Sequence, residues 1–383
     1  MNNIYLDSAA TTQIRQEVID RMAEVMSVYG NPSSTHTFGR TAKSLIENAR
    51  KTVAKYLNVA AKEIIFTSGG TEADNLILNS AVRDLKVERI ITSKIEHKAV
   101  LQCVTQLQDC FDVEIEFVKL DEKGNIDLLH LEELLKDSDK KTLVSLMHVN
   151  NEVGNMLDIE KTGNLCKQYN ALFHSDTVQS IGHFNLDLNE LPVDFAAVSA
   201  HKFHGPKGVG FAYVKSNSGL RSLIFGGGQE RGVRAGTESV HNIVGLEEAI
   251  KLTYDNLEEE KQHTSALKKH FIEQLQSELP GIKFNGECAN FEKSTYTLVN
   301  VCLPISEEEA TMLLFQLDLK GIACSKGSAC QSGSDQGSHV LAEFLSEEDL
   351  KKPSIRFSFS RYNTKEELDY VVDVLKEFIQ VNA

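Results

Sequence analysis

The stretch FAAVSAHKFHGPKGVGFAYV, residues 195–214, sets two short apolar runs on either side of a polar turn. FAAVSA and VGFAYV read as strands, and His204-Gly205-Pro206-Lys207-Gly208 reads as the turn between them. Lys202 then sits at a strand end, where α/β proteins gather their ligands. A lone lysine is ordinarily solvated. Flanking hydroxyl and imidazole groups from Ser199 and His201 change that reading. An amine needs a lowered pKa to form a Schiff base at neutral pH, and nearby cations with partial burial lower it.

Working outward, the runs IIFT, RIIT, VEIEFVKL, TLVSLMHV and ALFHSD alternate with helical stretches from about residue 60 to 215. This alternation predicts parallel strands joined by helical crossovers. A long helical pattern over about 238–279, broken near Asn256, follows. Beyond it TYTLVNVCL and SIRFSFS predict strands, and TKEELDYVVDVLKEFIQ predicts an amphipathic helix with Thr364 as cap and Glu367 three residues on. The expected division is an N-terminal arm over 1–15, a large domain over 16–250 and a small α+β domain over 251–383. The helix over 16–26 is expected to pack on the small domain.

The chain has 383 residues, 41% of them hydrophobic and 25% charged, enough apolar material for a large core. A formal net charge of -15 argues against a broad surface for nucleic acid or anionic lipid. MNNIYLDSAATT lacks a signal-peptide layout, and no apolar run approaches the roughly 20 residues needed to span a bilayer, so the expected location is the cytoplasm. Seven cysteines without CxxC spacing fit a reducing compartment, and Cys103, Cys166 and Cys302 read as core residues.

Thr67-Ser68-Gly69-Gly70-Thr71-Glu72 lies between a strand and a helix, where free N–H groups and a hydroxyl meet phosphate well. The same residues equally suit a capped turn. Asp176 in HSDTVQS can supply the anion a pyridinium nitrogen needs, or cap the next helix. Gln179 lies three residues on. His97 in SKIEHKAV follows a strand and could stack on a ring while moving protons. Asn150-Asn151-Glu152 adds amide donors at the next loop, and the segment 226–237, GGGQERGVRAGT, combines glycines with two arginines and Thr237, which suits a second wall of an anion site or equally a flexible connection. The segment 324–338 is small, polar and glycine-rich, so a thiol there, Cys330, needs a reason to be exposed, and nucleophilic chemistry supplies one. No second cysteine or histidine stands at zinc-like spacing, and no metal is expected.

Taken together, GGTEADN, SKIEHKAV, MHVNNEVG, HSDTVQS, SAHKFHGPKG, GGGQERGVRAGT, GSAC and SIRFS resemble, in order and over nearly the whole chain, the cysteine desulfurases of the aspartate-aminotransferase fold. The resemblance implies pyridoxal-phosphate fold type I, with a large mixed, mostly parallel sheet domain and a small α+β domain. It implies that Lys202 holds pyridoxal 5'-phosphate, Asp176 faces its ring nitrogen, Gln179 reaches its ring oxygen and His97 stacks on it. Gly70, Thr71, Ser199 and His201 would bind phosphate, with Thr237 reaching in from the other subunit of a homodimer. Asn151 would lie near cofactor and substrate, and Arg356 would pair with the carboxylate of L-cysteine, aided by Asn31 in GNPSS.

The implied reaction yields L-alanine and a persulfide on Cys330, carried by a long loop to a sulfur acceptor such as an iron–sulfur scaffold protein. Longer members have a C-terminal extension that grips the scaffold, and this chain ends soon after its terminal helix. Two other readings share the motifs: a selenocysteine lyase or other enzyme of the class-V aminotransferase type, and an inactive adaptor that binds iron–sulfur assembly partners.

Overall fold

The computed structural model describes residues 3–137, 139–306, 312–326 and 337–382. After β1 (Ile4–Tyr5) come α1 (Gln16–Met26) and α2 (Thr37–Tyr56). Strand and helix then alternate through β2 (Ile64–Thr67), α3 (Gly70–Arg83), β3 (Arg89–Thr92), α4 (Lys98–Cys110), β4 (Glu114–Phe117) and α5 (Leu128–Lys136). The series ends with β5 (Thr142–Ser145), α6 (Ile159–Gln168), β6 (Leu172–Asp176), β7 (Phe195–Ser199) and β8 (Gly210–Val214).

These strands make a sheet of seven in the order β2-β8-β7-β6-β5-β3-β4. Pairs from β7 to β4 are parallel, while β8 runs antiparallel to both neighbours. The expected α/β architecture is present, with one refinement. The chain between β7 and β8 is too short for a helical crossover, so β8 turns back on β7. Two runs also give shorter strands than their sequences predict, because the ends of VEIEFVKL and TLVSLMHV leave the sheet for loops.

Side-chain alternation places Ile64, Phe66, Ala196 and Val198 in one core, and Ile65, Phe195, Ala197 and Ala212 in another on the opposite face. Helices α1, α2 and α7 (Val240–Asp255) cover the first face, and α3 with α4 the second. The expectation for α1 is corrected here: Val18 and Val25 join the first sheet-face core rather than a core of the C-terminal region. The reason is a close approach at Gly245 of α7, where an added Cβ would lie 2.7 Å from Met22 Sδ.

The long helical pattern does break at Asn256, whose Nδ2 donates to Leu252 O at 2.7 Å, and α8 (Leu257–Glu278) follows. Then come β9 (Lys283–Phe284), β10 (Leu298–Cys302), α9 (Leu313–Leu319), β11 (Ile322–Ala323), α10 (Glu347–Leu350), β12 (Ser354–Ser358) and α11 (Lys365–Asn382). Strands β12, β10 and β9 form a small sheet, and β1 pairs in parallel with β11, tying the N-terminal arm to this region. A separate core lies under α8 and α11, with Phe271 edge-on to Phe357 at 5.2 Å. Burying a side chain of that size contributes about 1.5–3 kcal/mol. Thr364 Oγ1 accepts from Glu367 N while Glu367 Oε2 accepts from Thr364 N, the reciprocal cap its sequence predicts.

Among the described residues no helix is long and apolar enough to cross a membrane. Cys103, Cys166 and Cys302 are buried in the cores, as expected.

Candidate active site

The carboxyl ends of the central strands open on a cavity of about 440 Å³. Its floor depends on three glycines. An added Cβ at Gly70, the first residue of α3, would lie 2.6 Å from Val178 Cγ2. One at Gly210 would come within 2.2 Å of Val198 O and 2.8 Å of Gly69 Cα, while Gly69 itself takes φ +151°. Only bare backbone lets α3 begin this close to the end of β7. The free N–H groups of its first turn share the cavity wall with Ser199, His201 and Lys207. Burial, reinforced by the charges of Lys202 and Lys207, pushes His201 down to about 4. Its Nδ1 lies 3.1 Å from Thr11 Oγ1.

Lys202 follows the end of β7 in a single helical turn, and its Nζ donates to Ala9 O at 2.7 Å and Ala10 O at 2.8 Å. Asp176 ends β6 with its carboxylate accepting from Val178 N at 2.9 Å. Burial raises its pKa, and that donor with His97 and Lys202 pulls the other way. Gln179 Nε2 donates to Ala9 O at 2.9 Å, so the N-terminal arm is held by both residues.

His97 caps α4, with Nδ1 accepting from Ala99 N at 3.1 Å. This bond places the ring proton on Nε2, and burial lowers the pKa of the imidazole. Protonation would put a hydrogen on Nδ1 and break the cap. Arg356 on β12 is buried, donating to Asn151 O at 2.7 Å and to Asp7 Oδ1 at 2.8 Å. Both Asn151 and Arg356 line the cavity.

Asn31 and Thr237 are expected site residues that the cavity does not include. Asn31 is exposed, with its Oδ1 accepting from Ser33 N at 2.9 Å, and Thr237 is exposed on the glycine-rich segment. Cys330 and the GSAC motif lie outside the described residues. The chain flanking that stretch meets the cavity on both sides. Ser325 pairs through its backbone with Arg356, and Ser338 Oγ donates to the buried Glu152.

Sequence reasoning did not single out Asp74 or His339, and it named Glu152 only within a polar loop, yet all three line the cavity. Asp74 carried a usable signal: it shares the buried stripe of α3 with Ile77, Leu78 and Ala81, where an acid is out of place.

An anion cradle at a helix start, a buried carboxylate and a strand-end lysine facing one cavity fit pyridoxal phosphate. They define a fold-type-I enzyme dependent on that cofactor. The chain belongs to the class-V aminotransferase family, whose model matches residues 4–371, and within it to the cysteine desulfurases. It is 39% identical over 380 residues to cysteine desulfurase IscS of Dictyoglomus turgidum, covering 98% of this chain and 94% of that one. A solved NifS-like protein superposes with a TM-score of 0.90 at 35% identity, covering 99% of this chain and 100% of that one. A structure of SspA in complex with cysteine gives a TM-score of 0.81 at 29% identity, covering 94% and 100%.

Proposed function

We propose that this protein takes sulfur from L-cysteine, releasing L-alanine and leaving a persulfide on Cys330 for an acceptor thiol, such as one on an iron–sulfur scaffold protein. The observation that carries the reading is that Lys202, Asp176, His97 and the start of α3 meet in one cavity whose rim also receives Arg356. The balance is simple: the substrate's sulfur leaves Cβ for the thiol sulfur of Cys330, and the remaining carbon skeleton with its protons is alanine.

Pyridoxal phosphate, when bound, supplies the electron sink that makes the α-proton acidic and lets the Cβ–S bond break. Gly70, Thr71, Ser199 and His201 would hold its phosphate, Lys202 its aldehyde carbon, Asp176 its ring nitrogen and Gln179 its ring oxygen. Lys202 Nζ would take the α-proton as a neutral amine, and the Ala9 and Ala10 carbonyls would steady the ammonium that results. His97 would stack on the cofactor's ring, with Nε2–H available to the substrate. Arg356, oriented by Asp7 and Asn151, receives the substrate carboxylate. Thr237 completes the phosphate site of a second copy in a homodimer, and its exposure on this chain supports that reading. We place the protein in the cytoplasm, a location that seven cysteines without CxxC spacing support.

Cys330→Ser is expected to bind cofactor and cysteine with near-normal affinity. Persulfide should be absent from the peptide containing residue 330, and sulfide release should fall at least about 100-fold. Mass spectrometry of that peptide and a sulfide assay check it. Sulfide release at the wild-type rate would overturn the role of Cys330.

A further inference from the structure

Asp74 stands one turn into α3, in line with Ile77, Leu78 and Ala81, and is almost wholly buried. It reaches the cavity wall, yet its Oδ1 has no hydrogen-bond partner. Facing it on β6 are His174 and Asp176, two residues apart and so on one side of the sheet. His174 Nε2, also without a hydrogen-bond partner, lies 3.4 Å from Asp74 Oδ1. His174 Nδ1 is 2.9 Å from Ser145 Oγ on β5. Burial pushes His174 down to about 3, so its ring is neutral and the contact with Asp74 is not an ion pair.

The other groups around Asp74 also disfavour its anion. Burial raises its pKa most, and the charges of Asp176 and Glu96 add to that. Cys103 on α4 offers no charge, since burial pushes its thiol up to about 12. Asp176 is placed differently, with the Val178 N–H at 2.9 Å and with His97 and Lys202 favouring its ionised form. Two carboxyls buried side by side do not both ionise, and the proton goes to the one without donors or cations.

We propose that Asp74 is a positioning residue for the cofactor: a protonated carboxyl that donates to His174 Nε2 and leaves Asp176 as the one anion offered to the pyridine ring. His174 Nδ1–H then donates to Ser145 Oγ, so the hydrogen-bonded chain ends on β5. The positioning role rests on the pyridoxal-phosphate reading above, whereas the proton on Asp74 does not.

Two variants separate charge from hydrogen bonding. Asp74→Asn keeps the shape and an N–H donor for His174, whereas Asp74→Leu keeps the bulk and removes the donor. Infrared spectra of full-length protein without cofactor are expected to show a protonated-carboxyl C=O band at neutral pH that is missing from Asp74→Asn. Absence of any difference would overturn the protonated state, whatever cofactor the protein uses. On titration with pyridoxal phosphate, Asp74→Asn should bind within about twofold of wild type and Asp74→Leu about tenfold more weakly, the effect of one buried hydrogen bond. The bound cofactor's absorbance should keep its pH profile in Asp74→Asn. A displacement of that profile by about one pH unit or more would make Asp74 an anion in the wild type and overturn the proposal. Wild-type affinity in Asp74→Leu would overturn the positioning role.

Discussion

Lys202→Ala is expected to lower alanine formation from cysteine by at least about 1,000-fold, because one change removes both the proposed anchor for the cofactor and the proposed base for the α-proton. Lys98 and Lys207 also line the cavity. Only Lys202 joins the end of β7 to the carbonyls of Ala9 and Ala10. Losing that donor leaves Ala10 O to water while Ala9 O keeps the Gln179 amide, at a cost of about 1–3 kcal/mol, which a protein with three large cores withstands. The variant should therefore fold and show its defect in chemistry. Borohydride reduction of the loaded wild type should attach cofactor mass to the peptide containing Lys202. Finding that mass on Lys98 or Lys207, with turnover intact in Lys202→Ala, would refute the assignment.

The largest effect on stability is expected from Glu230→Ala, a loss of about 3–5 kcal/mol, because it removes the bidentate partner of a buried guanidinium and leaves it, among the described residues, only Glu47 Oε1 at 3.2 Å as an ion-pair partner. Arg50 of α2 gives Nη1 to Glu230 Oε2 at 2.6 Å and Nη2 to Glu230 Oε1 at 2.8 Å, with both side chains almost fully buried. Arg50 Nη1 also reaches Ile64 O at 2.7 Å, and Glu230 Oε2 accepts from Phe66 N at 2.9 Å. The guanidinium further lies 4.7 Å from the centre of the Phe66 ring. Glu230 holds this position at φ +44°, so the backbone of the glycine-rich segment bends to bring the carboxylate inside. Denaturant unfolding measures the loss, and a change below about 1 kcal/mol would show that water replaces the carboxylate. The same pair hangs the segment 226–237 from α2 and β2, while Arg234 ties it to Glu72 in the first turn of α3 at 2.8 Å. Thr237 is carried on that segment, so the variant should also disturb the phosphate contact proposed for it.

Much of this arrangement was legible in the sequence for identifiable reasons. Short runs such as IIFT and FAAVSA report strands because each has enough apolar or β-branched residues to be buried on both faces. Thr364 and Glu367 report a helix start because capping is local chemistry. Lys202, Asp176 and His97 were legible because each sits at the carboxyl end of a strand or in the loop after it, and a parallel sheet gathers those ends at one edge. The reversal of β8 was not, since strand patterns carry no direction. The place of α1 was also hidden, because its apolar stripe suits either core and only the bare backbone at Gly245 selects one.

By itself the sequence determined the α/β class, most of the central strands and several of the polar residues that meet at their carboxyl edge. These depend on local pattern, on short-range capping and on the order of motifs along the chain. Tertiary structure alone decided which polar groups become neighbours once water is removed. It set Asp74 against His174 beside the Asp176 carboxylate, enclosed Glu230 with Arg50, and drew the arm at Ala9 and Ala10 over Lys202. Charge states and hydrogen-bond partners follow from such long-range proximity and burial, which residue order does not encode position by position.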